Sequence, residues 1–350
     1  MKKLIGKLLK REEKAPLGRI TSDTMAEHRE QILAGGRRFK YPLQYSRHKL
    51  VFNAIAISLA ALIIITIFGW WRLYVVNDTG EFMYRVTRVV PLQVAKIDGQ
   101  PVRYSDYLMS YRSSIYYSEK NEQLSVKTDE GKRKVELIKE QAMRGALADA
   151  YAQKLAKGLS LSISDSELEG FIKEQRQSIN GEMSQQTFDA STLEILGLSP
   201  SEYRHMISSA LLRYKVSYAI DKPALAAANK AIELINGGAG GDFKSLAASV
   251  STASNVNAVY GSSGGMVSKT NQDGGLAAAA AKLSKGQTST APVKSSRGDG
   301  YYILKLLDIN ETQVSYEYVS VPLTELSSEL NKIINTNKVK KYISVKSEEK

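Results

Sequence analysis

The apolar residues of this chain form one long uninterrupted run, followed by shorter periodic segments. The run covers residues 51–71, which carry no charge and only Asn53, Ser58 and Thr66 as polar interruptions. At about 1.5 Å per residue, a helix of this length spans the ~30 Å hydrocarbon core of a bilayer. A core helix of a soluble protein rarely stays apolar on every side for so long. The pattern therefore predicts a transmembrane helix at 50–72.

The residues beside this run indicate its orientation. Basic residues precede it and aromatic and basic residues follow it, as is typical at membrane interfaces: Arg47, His48 and Lys49, then Trp70, Trp71, Arg72 and Tyr74. Residues 1–49 hold thirteen Lys or Arg against five Asp or Glu, which predicts a basic cytoplasmic tail with the bulk of the chain outside the cytoplasm. A cleavable signal peptide is the alternative, but its apolar core (~7–15 residues) and its leader would both be shorter.

Helical periodicity dominates the next part of the chain. After a connector at 73–93, the pair Asp98-Gly99 favours a tight turn between two short strands. Apolar positions then follow helical spacing over 132–157. Two serine–glutamate pairs predict helix starts, at Ser164 for a helix to about 179 and at Ser199 for a third helix, with a loop at 180–190 between them. The pattern predicts a mainly helical domain at 94–221.

The composition changes after 221–223, and short helices alternate with strands. We expect helices at 223–236, 242–251 and 275–283, strands at 301–309 and 314–321, and a last helix at 323–343. This predicts a small α+β domain at 222–325 and a C-terminal helix with a charged tail at 326–350. In the basic tail, only a short amphipathic helix at 1–9 is expected. The predicted fold class is one transmembrane helix with an α+β exterior.

Composition excludes several chemistries. The 350 residues contain no cysteine, so disulfides and thiol catalysis are absent, and the net charge of +12 comes mostly from the tail. The histidines are His28, His48 and His205, and His205 lies on a predicted helix without a second His or Cys at ligand spacing. The glycine loops lack the Lys-Ser/Thr of a phosphate cradle, and no basic stripe alternates with aromatic residues. We therefore expect no metal, no cofactor, no small-molecule substrate and no nucleic acid.

Three segments follow one another in an order and spacing found in known proteins: VAKIDGQPVRYSDY, starting at Val94, then LSLSISDSELEGFI, then ILGLSPSEYRHMISSALLRYKV. The first resembles the opening "VA-x-V-N-G-x-x-I" of the SurA/PrsA/PpiD foldases, and the other two resemble later helices of that family. Three later segments resemble parts of the parvulin-type peptidyl-prolyl isomerase domain: GGDFKSLAASVS, SSGGMV and LSKGQTSTAPVKSSRGDGYYILKLLDI. The resemblance implies a SurA-like chaperone domain at 94–221 and a parvulin-like domain at 222–325.

The parvulin catalytic residues are replaced in this sequence. The family's site uses two facing histidines, an intervening Cys or Asp, and a Met/Phe proline pocket. The resemblance aligns these positions with Tyr302, Tyr318, Met266, Gln272 and Leu276. It therefore implies a degenerate isomerase site. If activity survives, these five positions form the candidate pocket.

One strand of the parvulin-like part is out of its expected place. The family's first strand should precede 223, but a segment of the right character, VSYEYVSVPLTEL, follows the domain at 314–326. Either this strand fills the empty position, giving a circularly permuted domain, or it begins a truncated repeat.

The resemblance implies a membrane-anchored, extracytoplasmic foldase that binds unfolded or newly exported polypeptides. Tyr111, Tyr116 and Tyr117 are candidate client contacts, although such tyrosines are also common in a half-buried core. Two alternatives stay open. One is an active isomerase with an atypical tyrosine site, and the other is a non-catalytic scaffold or membrane-complex subunit.

Overall fold

The structure is a computed structural model that describes residues 22–40, 42–178 and 181–345. The chain divides into two units, Met1–Trp70 and Trp71–Lys350. The helices are α1 (Ser22–Lys40), α2 (Pro42–Tyr74), α3 (Glu81–Val89), α4 (Tyr104–Asn121), α5 (Asp129–Gly158), α6 (Asp165–Gln175), α7 (Gln185–Leu196), α8 (Pro200–Ile220), α9 (Lys222–Asn236), α10 (Phe243–Ser254), α11 (Leu276–Ala280) and α12 (Glu325–Asn335). The strands are β1 (Gln93–Ile97), β2 (Gln100–Arg103), β3 (Gln177–Ser178), β4 (Gly181–Glu182), β5 (Val259–Ser262), β6 (Val267–Ser268), β7 (Val293–Lys294), β8 (Gly300–Ile309), β9 (Gln313–Pro322) and β10 (Val339–Lys341).

The first unit contains α1 and most of α2. The stretch Lys49–Tyr74 of α2 is long and apolar enough to cross a membrane, and none of its most apolar window is buried. No regular helix was expected in the tail after residue 9. This expectation is wrong for 22–40, which form α1. This helix continues through Gly35-Gly36, because glycine in a helix costs only about 1 kcal/mol per residue. The helix expected at 1–9 lies outside the described residues.

The second unit begins with a helical module, built from α3–α8 and the β1–β2 hairpin. The predicted turn is confirmed, with positive φ at both Asp98 (43°) and Gly99 (87°). The predicted capping boxes at Ser164 and Ser199 are both present, and α5 spans the predicted helix at 132–157. The α6 helix ends at Gln175, earlier than expected. Side-chain caps and turn residues close in sequence therefore determine where most of the helices of this module begin.

The segments expected as a connector (73–93) and a loop (180–190) contain helices instead. In the first, Leu73, Met83 and Tyr84 are buried in the core of the helical module, and the Tyr104 hydroxyl donates to Leu73 O at 2.8 Å. The burial of one face stabilises α3 although it is only nine residues long. In the second, α7 begins at Gln185 because the Ser184 hydroxyl accepts a hydrogen bond from Thr187 N.

The C-terminal segment completes the helical module. The helix predicted at 323–343 ends at Asn335, and the chain turns at Asn337 (φ 55°) into β10, which pairs antiparallel with β1. Four apolar side chains of this segment join the core of the helical module: Leu326, Leu330, Ile343 and Val345. Pairing with a strand more than 200 residues earlier overrides the local helical pattern.

The sheet module lies between these two parts of the chain. Its strands are antiparallel in the order β5-β9-β8-β7, and β6 also pairs with β9. Helices α9 and α10 cover one face, where Ile303, Val319 and Val321 are buried, and α11 covers part of the other. β9 pairs with β8 from Gly300↔Pro322 to Ile309↔Val314, so the segment at 314–321 belongs to this sheet.

Candidate functional site: a groove between the two modules

One buried carboxylate ties the helical module to the sheet module. Asp221 is 2% exposed, and its Oδ1 accepts a hydrogen bond from Ala224 N at 2.9 Å, which caps α9. Its Oδ2 accepts from Thr324 N at 2.7 Å and Glu325 N at 3.0 Å, where the chain leaves the sheet and enters α12. Asp221 therefore fixes both chain crossings between the modules.

Two tyrosines of α8 make further contacts with the sheet module. The Tyr218 hydroxyl lies 2.9 Å from Ser295 O and 2.7 Å from Gly300 O, and its ring packs edge-on against Tyr301 at 5.1 Å. Tyr214 packs against Gly298, where a Cβ atom would lie only 2.2 Å from the Tyr214 ring. Gly298 also has φ of 70°, so glycine is favoured there on both counts.

A groove opens beside these contacts. It consists of two adjoining cavities of about 580 Å³ and about 380 Å³, which share Phe171, Glu174 and Ser296. We call it the intermodule groove. Its wider part is lined by apolar residues of α8, α6 and the segment before α6: Leu161, Ile163, Phe171, Leu211, Tyr218 and Ala219. Its narrower part adds Tyr214 and the polar segment from Lys269 to Gly275.

The charged residues of the groove are mainly basic. Lys215, Lys269, Lys294 and Arg297 line it against Glu167 and Glu174. The Lys215 ammonium donates to Glu167 at 2.6 Å, and this hydrogen bond, with those from Ser164, lowers the pKa of Glu167 to about 2. The carboxylate of Glu167 is thus ionised and paired at neutral pH, and the lysine is partly neutralised. The groove offers apolar surface with a modest positive rim.

The structure brings together three of the five residues of the predicted isomerase pocket. Tyr302 and Tyr318 meet edge-on with ring centroids 5.3 Å apart, and both pack against the core cluster that contains the buried Leu276 of α11. The Tyr302 hydroxyl donates to Asp299 at 3.1 Å, and burial raises the pKa of Tyr302. Both effects keep this phenol protonated at neutral pH. The pair is an apolar aromatic contact with one engaged hydroxyl.

The other two predicted pocket residues are not part of this core cluster. Met266 is exposed in the turn between β5 and β6. Gln272 donates from Nε2 to Glu174 O at 2.9 Å and Gln177 O at 3.1 Å, so it bridges the modules at the groove. Sequence comparison alone places Gln272 in the pocket, because it takes no account of the helical module that supplies these carbonyl groups.

Two residues beside the tyrosine pair were missed. The Tyr316 hydroxyl donates to Asp273 Oδ2 at 2.6 Å, and Asp273 also caps α11 through Leu276 N at 2.8 Å. Burial and this carboxylate raise the pKa of Tyr316. The available signal was the spacing of Asp273 three residues before Leu276, which is typical of a helix cap.

The three tyrosines proposed as client contacts differ in exposure. Tyr111 is 9% exposed and stacks on Tyr107 at 6.3 Å, so it belongs to the core. Tyr116 packs against Gly197, where a Cβ atom would lie 2.8 Å from its ring. Tyr117 is 41% exposed. Of the three, Tyr117 presents the most ring surface to solvent.

A second polar cluster lies between α4, α5 and α8. His205 Nε2 lies 3.1 Å from Asp106 Oδ1, and Arg213 donates to Asp149 at 2.5 Å. The hydrogen bond to Asp106 raises the pKa of His205, although burial and Arg103 oppose the shift. In the described part of the chain, no group of three His, Cys, Asp or Glu could hold a metal ion.

This cluster gives the fold a pH dependence. The pKa of His205 is higher in the folded state than its usual value of ~6.5, so protonation of His205 stabilises the fold. This stabilisation is fully present below pH ~6.5 and is lost as the pH rises through the folded-state pKa. We expect the urea midpoint to fall between about pH 6 and pH 8. His205→Gln should flatten this slope. An unchanged slope in the variant would assign the pH dependence to other groups.

Comparison with known proteins agrees with a chaperone-type helical module. A family model described as the SurA-like N-terminal domain matches residues 43–217, from the start of α2 almost to the end of α8. The chain belongs to this family, whose relatives are SurA/PrsA/PpiD-type foldases. No curated protein and no solved structure matches the chain. The sheet module lies beyond the matched residues.

Proposed function

We propose that this protein is a membrane-anchored, extracytoplasmic chaperone that binds unfolded, newly exported polypeptides in the intermodule groove. The observation that carries the proposal is the groove itself, an apolar channel with a basic rim beside α8 in a SurA-like chain. Unfolded chains expose apolar side chains and unpaired backbone groups, which such a surface binds through many weak, sequence-tolerant contacts. The apolar segment of α2 would hold the groove near emerging chains and raise their effective concentration.

The sheet module is proposed to be a permuted parvulin-like domain without the usual isomerase chemistry. The position of β9 between β5 and β8 supports the permuted arrangement. Tyrosines at the two aligned histidine positions, and the engagement of Tyr302 by Asp299, support degeneracy. Isomerisation must lower a barrier of ~18–20 kcal/mol by favouring a twisted amide in a shaped apolar pocket. The side chain of Gln272 is hydrogen-bonded to the helical module and Met266 is exposed, and both observations disfavour such a pocket.

A proline-peptide assay tests the degenerate site. The full chain in detergent micelles should accelerate cis–trans isomerisation of a proline peptide little or not at all. Tyr302→Phe and Tyr318→Phe should leave the rate unchanged, because each keeps the aromatic packing and removes only a hydroxyl. Strong catalysis that is lost in either variant would instead favour an active isomerase with a tyrosine site.

Client behaviour separates a chaperone from a scaffold. The full chain should suppress aggregation of several unrelated, chemically unfolded proteins, at molar ratios near one to one. A scaffold would ignore them and co-purify with one stoichiometric membrane partner. Failure to delay aggregation of any client would contradict the proposed function.

A further inference from the structure

The exposed apolar side chains of the second unit are concentrated near its N-terminus. Among the described residues from Trp71 onward, seventeen large apolar side chains are exposed, and eleven of these are spread from Tyr117 to Leu307. The other six fall within twenty residues: Trp71, Val75, Val76, Phe82, Val89 and Val90. Clustered exposed apolar surface marks an interaction site, whereas isolated residues do not.

The α3 helix contributes an unpartnered apolar stripe to this cluster. Met83, Tyr84 and Thr87 are buried, so the packing of the helix fixes its rotation. At 100° per residue, Phe82 and Val89 lie on the opposite side, and they are 71% and 84% exposed. A helix with a second apolar face directed away from the core is suited to contact a second apolar environment outside the protein core.

Short chain connections keep this stripe close to the end of α2. The amides of Val75 and Val76 both donate to Trp71 O, and that of Asp78 donates to Arg72 O, so the chain turns sharply there. Asp78 also forms an ion pair with Arg72 and accepts from Gly80 N at 2.8 Å, just before α3 begins. Phe82 is eight positions after Tyr74, so even an extended chain would cover less than about 30 Å.

The charges around the stripe are suited to anionic lipid headgroups. Arg85 on α3 is largely exposed, and Arg88 is about half exposed and forms an ion pair with Glu202. Glu81 of the same helix is paired with both Arg85 and Arg112, so three arginines face two glutamates and the cluster keeps one net positive charge. Apolar side chains flanked by arginines are typical of helices that lie in the membrane interface.

We infer that α3 and the turn before it form a membrane-docking surface, with Phe82 and Val89 inserted at the headgroup boundary of an anionic bilayer. The inference rests on the proposed membrane anchoring. A docked α3 would hold the helical module against the bilayer surface. The membrane would then fix the position of the groove in which clients bind.

Single-cysteine spin labelling tests this surface, since the natural chain has no cysteine. The full chain would be reconstituted in nanodiscs containing anionic lipid, with nitroxide labels at Phe82→Cys, Val89→Cys, the exposed control Leu137→Cys, and Ile63→Cys in the apolar segment of α2. Frequent collision of the nitroxide with oxygen shows that the label lies in lipid. Frequent collision with a water-soluble nickel chelate shows that it lies in solvent. We expect the oxygen-to-nickel ratio at 82 and 89 to exceed that at 137 several-fold. Arg85→Glu should lower it.

The Ile63 label separates the possible failures. If 63 lies in lipid while 82 and 89 match the solvent-exposed control, the anchor stands and docking is wrong. If both collision reagents are excluded at 82 and 89, a protein covers the stripe and docking to lipid is also wrong. If the nickel chelate reaches 63, membrane anchoring fails, and the inference fails with it.

Discussion

Replacing Asp221 by alanine is expected to lower the free energy of unfolding by at least about 4 kcal/mol. Three backbone amides, those of Ala224, Thr324 and Glu325, donate to this buried carboxylate. Each hydrogen bond to a charged acceptor contributes about 1.5–3 kcal/mol, and the amides would be left without partners. Urea unfolding of the full chain in micelles, followed by circular dichroism, measures the loss.

Asp242→Ala is the matched control. Asp242 also caps a helix, accepting from Lys244 N at 3.0 Å and from the Ser245 hydroxyl, but it is exposed and these hydrogen bonds come from its own helix. Loss of this cap should cost about 1 kcal/mol. Equal losses in the two variants would contradict the role of Asp221 as a junction between modules.

The double variant Phe171→Ser/Leu211→Ser is expected to weaken client binding by about 10- to 100-fold. Both side chains line the intermodule groove, and Phe171 lines both of its cavities. Burying a large apolar side chain contributes about 1.5–3 kcal/mol, and partial burial of two half-buried side chains gives a total of that order. Fluorescence anisotropy of a labelled, permanently unfolded client measures the change in Kd.

The control for this variant replaces two apolar side chains outside the groove by serine. Leu137 and Leu193 are exposed and lie outside the groove, so Leu137→Ser/Leu193→Ser should leave Kd unchanged. Circular dichroism should show both double variants folded. If the control weakens binding as much as the groove variant does, clients bind exposed apolar surface in general.

Features set by neighbouring residues could be predicted from the sequence. The capping boxes at Ser164 and Ser199 depend on residues three positions apart, and the turn at Asp98-Gly99 depends on two adjacent residues. The strands β8 and β9 followed from their β-branched and aromatic content. In each of these cases, residues within the segment itself decide the structure.

Features set by distant partners could not be predicted. β10 forms because β1 offers an unpaired edge, and α3 forms because Met83 and Tyr84 find a core. Gln272 is directed to the carbonyl groups of Glu174 and Gln177, and no local pattern reports that contact. The proximity of Tyr302 and Tyr318 could therefore be predicted, while the contact of Gln272 with the helical module could not.

The groove was missed although the sequence carried a signal for it. α8 has apolar residues on more than one side, including Tyr203, Leu211, Tyr214 and Tyr218, and most of its side chains are only half buried. Such a helix packs against two partners and leaves surface between them. Of the proposed client contacts, Tyr111 instead belongs to the core of the helical module, and Tyr116 packs against Gly197 at the end of α7.

Site-directed cross-linking in the groove tests the central claim most directly. Ser296 lines both cavities, and Ser249 is exposed on α10, so Ser296→Cys and Ser249→Cys place the same small side chain inside and outside the groove. With a benzophenone label on each cysteine and a cysteine-free unfolded client, the proposal predicts a several-fold higher cross-linking yield at 296, which an excess of unlabelled unfolded client abolishes. Equal yields at 296 and 249 would contradict client binding in the intermodule groove.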